Sequence, residues 1–384
     1  MRNAIRDRLR EIGAALDLRR VVRRVGEDVP GQWAEALPAA QARRLRRLVI
    51  SGCGDSLFAG IAARLAIERF GGIACEALDA LEAGRYAAVR FSPDVAVLGI
   101  SNSGTTSRVV ESVGLARAAG AVTMALCGAA ASPLERAAGR GVVRAVEGAG
   151  ARDGPTARVE RHIGEYLGTL AALYHLAFHL GVARGLMSQP ERRREVSALD
   201  HAAGLAQQAL ADGPDQVTAV LERLQGADRI FYLGAGPAYG TALFGAAKIL
   251  EEVPLCGIPQ HLEAWAHLQY FLTAEEGERT RVVIVAPRGD SVDRAAEIAE
   301  SIREEGGVAV AVTHAAETEM RAAASAVVVV DGECWEGYAP LPYAVPVQLL
   351  GVALALRRGR TVIPLGRRDG GRLIRASAVR TPAR

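Results

Sequence analysis

Ser101, Ser103, Thr105 and Thr106 place four hydroxyls in six residues, straight after the apolar run Val95–Ile100 and at the start of a helix-like segment, Thr105–Ala119. A buried strand that ends in a hydroxyl- and glycine-rich turn at a helix N-terminus is an anion cradle. The first-turn amides lack intrahelical acceptors, the helix dipole is positive there, and the hydroxyls add donors. One Ser or Thr would suffice for a simple N-cap, so the surplus points to phosphate. A second loop, Gly52-Cys-Gly54-Asp-Ser56, also follows a strand and opens a helix. It lacks the third glycine of a dinucleotide fingerprint, since Phe58 and Ala59 follow, and Glu76 and Asp79 only approximate the acid such a site needs. Its glycines read instead as a tight turn with close ligand approach, so that Ser56 and Ser101–Thr106 line one pocket.

Lys248 and Glu251 are spaced i, i+3, which puts an ammonium and a carboxylate on one helix face. That spacing suits a surface ion pair of little worth. Beside a bound sugar, the same carboxylate could move a proton between adjacent carbons. His267 lies in an apolar-aromatic stretch with His261 and Glu263, but His-x-Glu-x3-His is no defined metal-ligand spacing, and neither metal nor cofactor is expected. His175 and His179 read as helix-face residues. Neither a Gly-x-Ser-x-Gly elbow nor a Walker A pattern is present.

The elements that must position these groups alternate. Strands are expected at Leu48–Ser51, Ile73–Glu76, Val95–Ile100, Ala121–Cys127 and Val142–Val146, with helices between them, and then a long apolar helix over 157–184 and a polar one over 191–224. The second half repeats the first. Gly234-Ala-Gly236 follows Gly52-Cys-Gly54 by 182 residues, Val282–Ala286 follows Ala96–Ile100 by 186, and Val308–Thr313 follows Val122–Cys127 by 186. Near-constant offsets mark a tandem duplication. The fold class is therefore α/β, two doubly wound parallel-sheet domains in tandem, at 47–195 and 196–384. Residues 1–46 form a helical segment packing on the first domain, interrupted at Pro30-Gly31. The second-half counterpart of the hydroxyl loop, Pro287-Arg-Gly-Asp290-Ser291, carries an acid that opposes phosphate, which leaves one anion site per chain.

Bulk composition agrees with two packed domains. The chain has 384 residues, 50% apolar and 23% charged, with 46 basic and 43 acidic side chains for a net charge of +3. That balance argues against a surface devoted to nucleic acid. Five scattered cysteines with no CxxC pair suggest neither a disulfide framework nor a zinc knuckle. No continuous apolar run approaches the ~18 residues that span a bilayer, and the basic N-terminus lacks a signal-peptide core. A cytoplasmic protein without membrane or nucleic-acid partners is expected.

Ile100-Ser-Asn-Ser-Gly-Thr-Thr106, with its following helix and Gly120-Ala-Val-Thr-Met-Ala, resembles the phosphate loop of sugar isomerase (SIS) domains. Gly234-Ala-Gly-Pro-Ala-Tyr239 through Lys248-Ile-Leu-Glu251 resembles the second domain of tandem SIS proteins, and Tyr343–Ala355 its C-terminal helix. The resemblance implies a sugar phosphate held by Ser101, Asn102, Ser103 and Thr106 with Ser56 assisting, and with Gly54 near the substrate. It implies Glu251 as the base between C1 and C2, and Lys248 as its positioning partner. His267 would be the ring-opening histidine, delivered across a homodimer with shared active sites, although His-Leu stands here where the family reads His-Gly. Where the related synthase has a Schiff-base lysine in its tail, this chain has Arg375, a guanidinium that stays protonated and is a poor nucleophile. Arg375 could still contact the substrate. The implied activity is aldose–ketose isomerisation of a phosphorylated sugar or amino sugar. The alternatives are an amino-sugar-phosphate deaminase or deglycase and, from another class, a non-catalytic sugar-phosphate regulator.

Overall fold

The computed structural model describes residues 1–144, 155–253 and 255–360. The expectation for Arg375 lies outside these residues. The chain forms two compact units, each built on one five-stranded parallel sheet.

The first sheet contains β1 (Arg47–Gly52), β2 (Ala74–Asp79), β3 (Val95–Ser101), β4 (Val122–Cys127) and β5 (Gly141–Val143), in the order β2-β1-β3-β4-β5. Every residue of β3 is buried, as a central strand covered by helices on both faces must be. Val49, Val95 and Val97 pack against Val109, Val113 and Leu134 of the helices that follow β3 and β4. The order reverses between β1 and β3, where Ser51 pairs with Gly99. The crevice beyond their carboxyl ends is the topological switch point, where open α/β sheets bind ligands.

The second sheet contains β6 (Arg229–Gly234), β7 (Cys256–His261), β8 (Arg281–Ala286), β9 (Val308–His314) and β10 (Ala326–Val330), in the order β10-β9-β8-β6-β7. Read from its other edge, this is the same topology, so the duplication inferred from constant offsets is a duplication of fold. Phe231, Leu233 and Ile284 form its core with Ile298, Ala299 and Ile302 of helix Val292–Glu304.

The N-terminal segment differs from expectation in two ways. Its second helix runs unbroken from Leu18 to Ala36 through Pro30. Val29, Trp33 and Leu37 are fully buried, and the Trp33 indole donates to the Ala172 carbonyl at 2.9 Å. Packing on that scale outweighs the lost helical hydrogen bond of an interior proline. Nor do residues 1–46 behave as one segment, because Met1–Arg19 belong with the second-sheet unit and Arg20 onward with the first. Helix Arg2–Ala14 buries Ile5, Leu9 and Ile12, and the Leu18 amide donates to Gln207 at 2.7 Å. The second-sheet unit also takes in residues 155–164 and begins its main stretch at Asp200. Two helices, at Val159–Ala183 and Pro340–Arg357, do have the length and hydropathy of a membrane span, but 89% of each apolar window is buried inside the fold. Their apolar character serves the core.

Candidate active site

The loop after β3 folds on itself. Ser101 Oγ and Thr106 Oγ1 share a hydrogen bond of 2.8 Å, as do Ser103 Oγ and Thr105 Oγ1 at 2.8 Å. Gly104 closes the turn, its amide donating to the Ser101 carbonyl at 3.0 Å. Its φ of +63° and the 2.2 Å that would separate an added Cβ from Ser132 Cβ leave glycine as the residue that fits there. Helix Ser107–Ala118 starts at Thr106, whose hydroxyl does not cap it. The loop hydroxyls are thus ordered by one another and not by capping the helix. Arg108, next to the loop in sequence, is directed at Glu111, a buried carboxylate that also accepts from Arg85 at 2.9 Å.

Gly54 and Ser56 stand at the adjacent strand end. Gly54, at φ +55°, precedes helix Asp55–Gly71, and open space lies where its Cβ would be. Ser56 is in that helix's first turn and half-buried. Since β1 and β3 are hydrogen-bonded neighbours, both loops leave one edge of one sheet.

The counterpart loop of the second sheet is filled from within. The Glu336 carboxylate accepts the Asp290 amide at 3.1 Å, and a Cβ on Gly289 would come within 2.4 Å of Glu336 Oε2. Burial pushes the Glu336 carboxyl above its usual range, the Asp290 amide opposes that rise, and the Asp290 charge adds to it. Arg288 is paired with Glu333 and Glu317. The loop retains a strand-to-helix turn, with its own carboxylate in place of a ligand.

Lys248 and Glu251 lie on helix Gly236–Glu252. Lys248 is completely buried, its Nζ donating to Glu251 Oε2 at 2.6 Å and lying 5.0 Å from the Phe244 ring centroid. Glu251 itself is 45% exposed. Its neighbour Glu252 turns the other way, fully buried, and accepts from Gln348 of helix Pro340–Arg357. The i, i+3 spacing therefore does not produce a surface pair. A desolvated ammonium costs several kcal/mol unless it is paired, and here it holds a carboxylate that solvent can reach. A third group, absent from the sequence reading, joins them: His162 Nδ1 lies 3.7 Å from Glu251 Oε2. It sits 89 positions away in the apolar helix Pro155–Ala183, and no local pattern marks it.

His267 lies in the π-wound turn Trp265–Gln269, its side chain 73% exposed and its Nε2 3.1 Å from Glu263 Oε1. Arg294 holds the Glu263 carboxyl below its ordinary range, with His267 contributing less. His261 stacks on Tyr239 with ring centroids 3.5 Å apart. His175 and His179 pack as helix-face residues: His179 Nε2 lies 2.7 Å from the Leu37 carbonyl, and burial draws His175 down to about 4.

Known proteins resemble this chain over most of its length. The SIS domain model matches residues 43–151, the stretch holding β1 to β5 and both loops. Glutamine–fructose-6-phosphate aminotransferase (isomerizing) of Zymomonas mobilis is 26% identical over 345 residues, covering 87% of this chain and 53% of that protein. The enzyme of the same name from Xanthomonas campestris is 29% identical over 335 residues, covering 85% and 52%. The chain spans about half the length of the curated relatives it matches. Among solved structures, the C-terminal domain of glucosamine-fructose-6-phosphate aminotransferase from Francisella tularensis superposes with a TM-score of 0.72 at 19% identity, covering 90% of this chain and 97% of that one. The tagatose-6-phosphate ketose/aldose isomerase of Escherichia coli gives 0.64 at 15%, covering 90% and 91%. Residues 43–151 are a SIS domain, and both sheets have the SIS-type α/β architecture.

Proposed function

We propose that this SIS-domain protein is a sugar-phosphate aldose–ketose isomerase acting on a phosphorylated sugar or amino sugar. Ser101, Asn102, Ser103 and Thr106, with Ser56, hold the phosphate, and Glu251 carries a proton between C2 and C1. The carboxylate takes the C2 proton of the aldose to leave an enediolate and returns a proton to C1, while the hydroxyl proton passes from O2 to O1. No atom is gained or lost, and no redox partner is needed. Lys248 fixes the carboxylate, and His162 lies on the same oxygen. Binding energy from the phosphate, remote from the reacting carbons, is available for the chemical step. In this reading His267, exposed and paired with Glu263, serves a sugar bound to a second copy of the chain.

One observation carries the proposal: a fully buried ammonium whose 2.6 Å hydrogen bond holds a half-exposed carboxylate. Such a pair is costly to build and positions a base that a substrate can reach. The names of the aligned aminotransferases support a phosphorylated ketohexose as substrate and favour a second reading, gain or loss of an amine at C2.

The test is proton exchange in D2O. Fructose 6-phosphate and tagatose 6-phosphate are incubated with the protein, and deuterium entering C1 is followed by NMR. Exchange is expected, with a loss of about 10²–10⁴-fold in Glu251→Gln. Absence of exchange with every phosphorylated ketose tried, or its survival in Glu251→Gln, overturns the reading. Ammonia released from an amino-sugar phosphate would favour the amine chemistry instead.

A further inference from the structure

Asn102 is gripped from behind the hydroxyl loop. Its carbonyl accepts the Gly128 amide at 2.9 Å, and its side-chain Oδ1 accepts Arg144 Nη2 at 3.0 Å. Gly128 leaves room for this, since an added Cβ would lie 2.4 Å from Asn102 Oδ1. Arg144 follows β5, 42 positions away, and its own amide donates to the Cys127 carbonyl at the end of β4 at 2.9 Å. The residue is only 3% exposed. Desolvation draws its guanidinium down to about 10, with Glu165 the main opposing charge, so it remains a cation at neutral pH.

A guanidinium carries donors and no acceptor. The Asn102 atom facing it is therefore the oxygen, and both Nδ2 hydrogens are directed away from Arg144. An unrestrained asparagine at a phosphate loop would offer its oxygen as readily as its NH2, and an oxygen facing a phosphate is repulsive. Arginine suits this task in a buried position because its planar fork is weakly hydrated and keeps its charge there.

We propose that Arg144 is a positioning residue of the anion cradle, holding Asn102 with its oxygen turned inward so that the side chain presents its two N–H donors to a bound phosphate. This rests on the loop being a phosphate site. It adds to that reading a residue from a different strand end, which sets the polarity of one of the cradle's donors without touching the ligand.

The experiment is a double-mutant cycle read by titration calorimetry with fructose 6-phosphate and with inorganic phosphate. Arg144→Met and Asn102→Ala are each expected to weaken binding about tenfold, the value of one hydrogen bond to a charged group. The double variant should be no weaker than either single one, because both changes remove the same donor. Arg144→Lys, which restores a buried cation and donor, should recover part of the loss. Where Arg144→Met melts below the assay temperature, Asn102→Asp carries the test. It keeps an acceptor for Arg144, so the melting temperature holds, but offers no N–H, and affinity should fall at least tenfold. Unchanged affinity in Arg144→Met or in Asn102→Asp, or losses that add in the double variant, would overturn the inference. Failure of the unmodified protein to bind either ligand would instead overturn the phosphate reading of the loop.

Discussion

Two loops at equivalent places in the duplicated fold have taken opposite courses. In residues 101–106 the hydroxyls pair among themselves, Ser101 with Thr106 and Ser103 with Thr105, while in residues 287–291 the Asp290 amide bonds the Glu336 carboxylate supplied from 46 positions away. The strand-to-helix geometry is common to both, so backbone alone does not make an anion site. What differs is whether the chain brings its own anion. In the second sheet the Asp290 amide is taken by the chain's own carboxylate, and in the proposed isomerase the first loop takes the anion of a ligand instead.

The largest effect should come from making the first loop resemble the second. Ser103→Asp places an acid where the bound phosphate would sit, and since Ser103 is exposed the fold should be untouched. Affinity for fructose 6-phosphate is expected to fall by at least about 100-fold, since a like charge at a close, desolvated site costs several kcal/mol, with no change in melting temperature. An affinity within threefold of the parent would remove the loop from the site.

A second contrast concerns acid. His175 is buried within the first-sheet unit and is drawn from 6.5 to about 4, chiefly by desolvation, with Arg192 adding to it. Its folded value is depressed, so the unfolded chain binds the proton first. The stability tied to the neutral ring is fully present above pH 6.5 and is lost as the pH falls toward 4, in total roughly 3 kcal/mol. Hydrogen exchange measured from pH 7 to pH 4.5 should show protection falling in helix Pro155–Ala183 and strand β3 before it falls in β8 and β9. His175→Gln should flatten that difference. Equal loss in both sheets would place the acid-sensitive group elsewhere.

The smallest effect tests the filled loop. Burial raises the Glu336 carboxyl, so ionising it works against the folded state. Its favourable contribution is present below the unfolded value of 4.5 and lost as the pH rises through the folded one. Glu336→Gln keeps an acceptor for the Asp290 amide and removes the charge. The variant should melt slightly higher than the parent at pH 7, by less than about 1 kcal/mol for so partly exposed a group, and equally at pH 4. A lower melting point at pH 7 would mean that the charge itself holds the loop.

Much of this was legible in the residues. The period-2 and period-3.6 patterns and the constant offsets of 182–186 residues determine ten strands, their helices and the duplication, because secondary structure follows from local periodicity. The hydroxyl loop and the Lys248–Glu251 face are likewise local. Pro30 misled because burial of Val29, Trp33 and Leu37 overrides an interior proline, and that burial is supplied by a helix more than a hundred residues away. Tertiary structure alone decided which of two adjacent acids faces solvent, with Glu252 turned to Gln348 and Glu251 outward. It also decided that His162 stands by Glu251, that Arg144 holds Asn102 and that Glu336 fills the second loop. Each of these joins residues brought together by chain topology, and a side chain's partner across a sheet edge leaves no trace in the spacing around it.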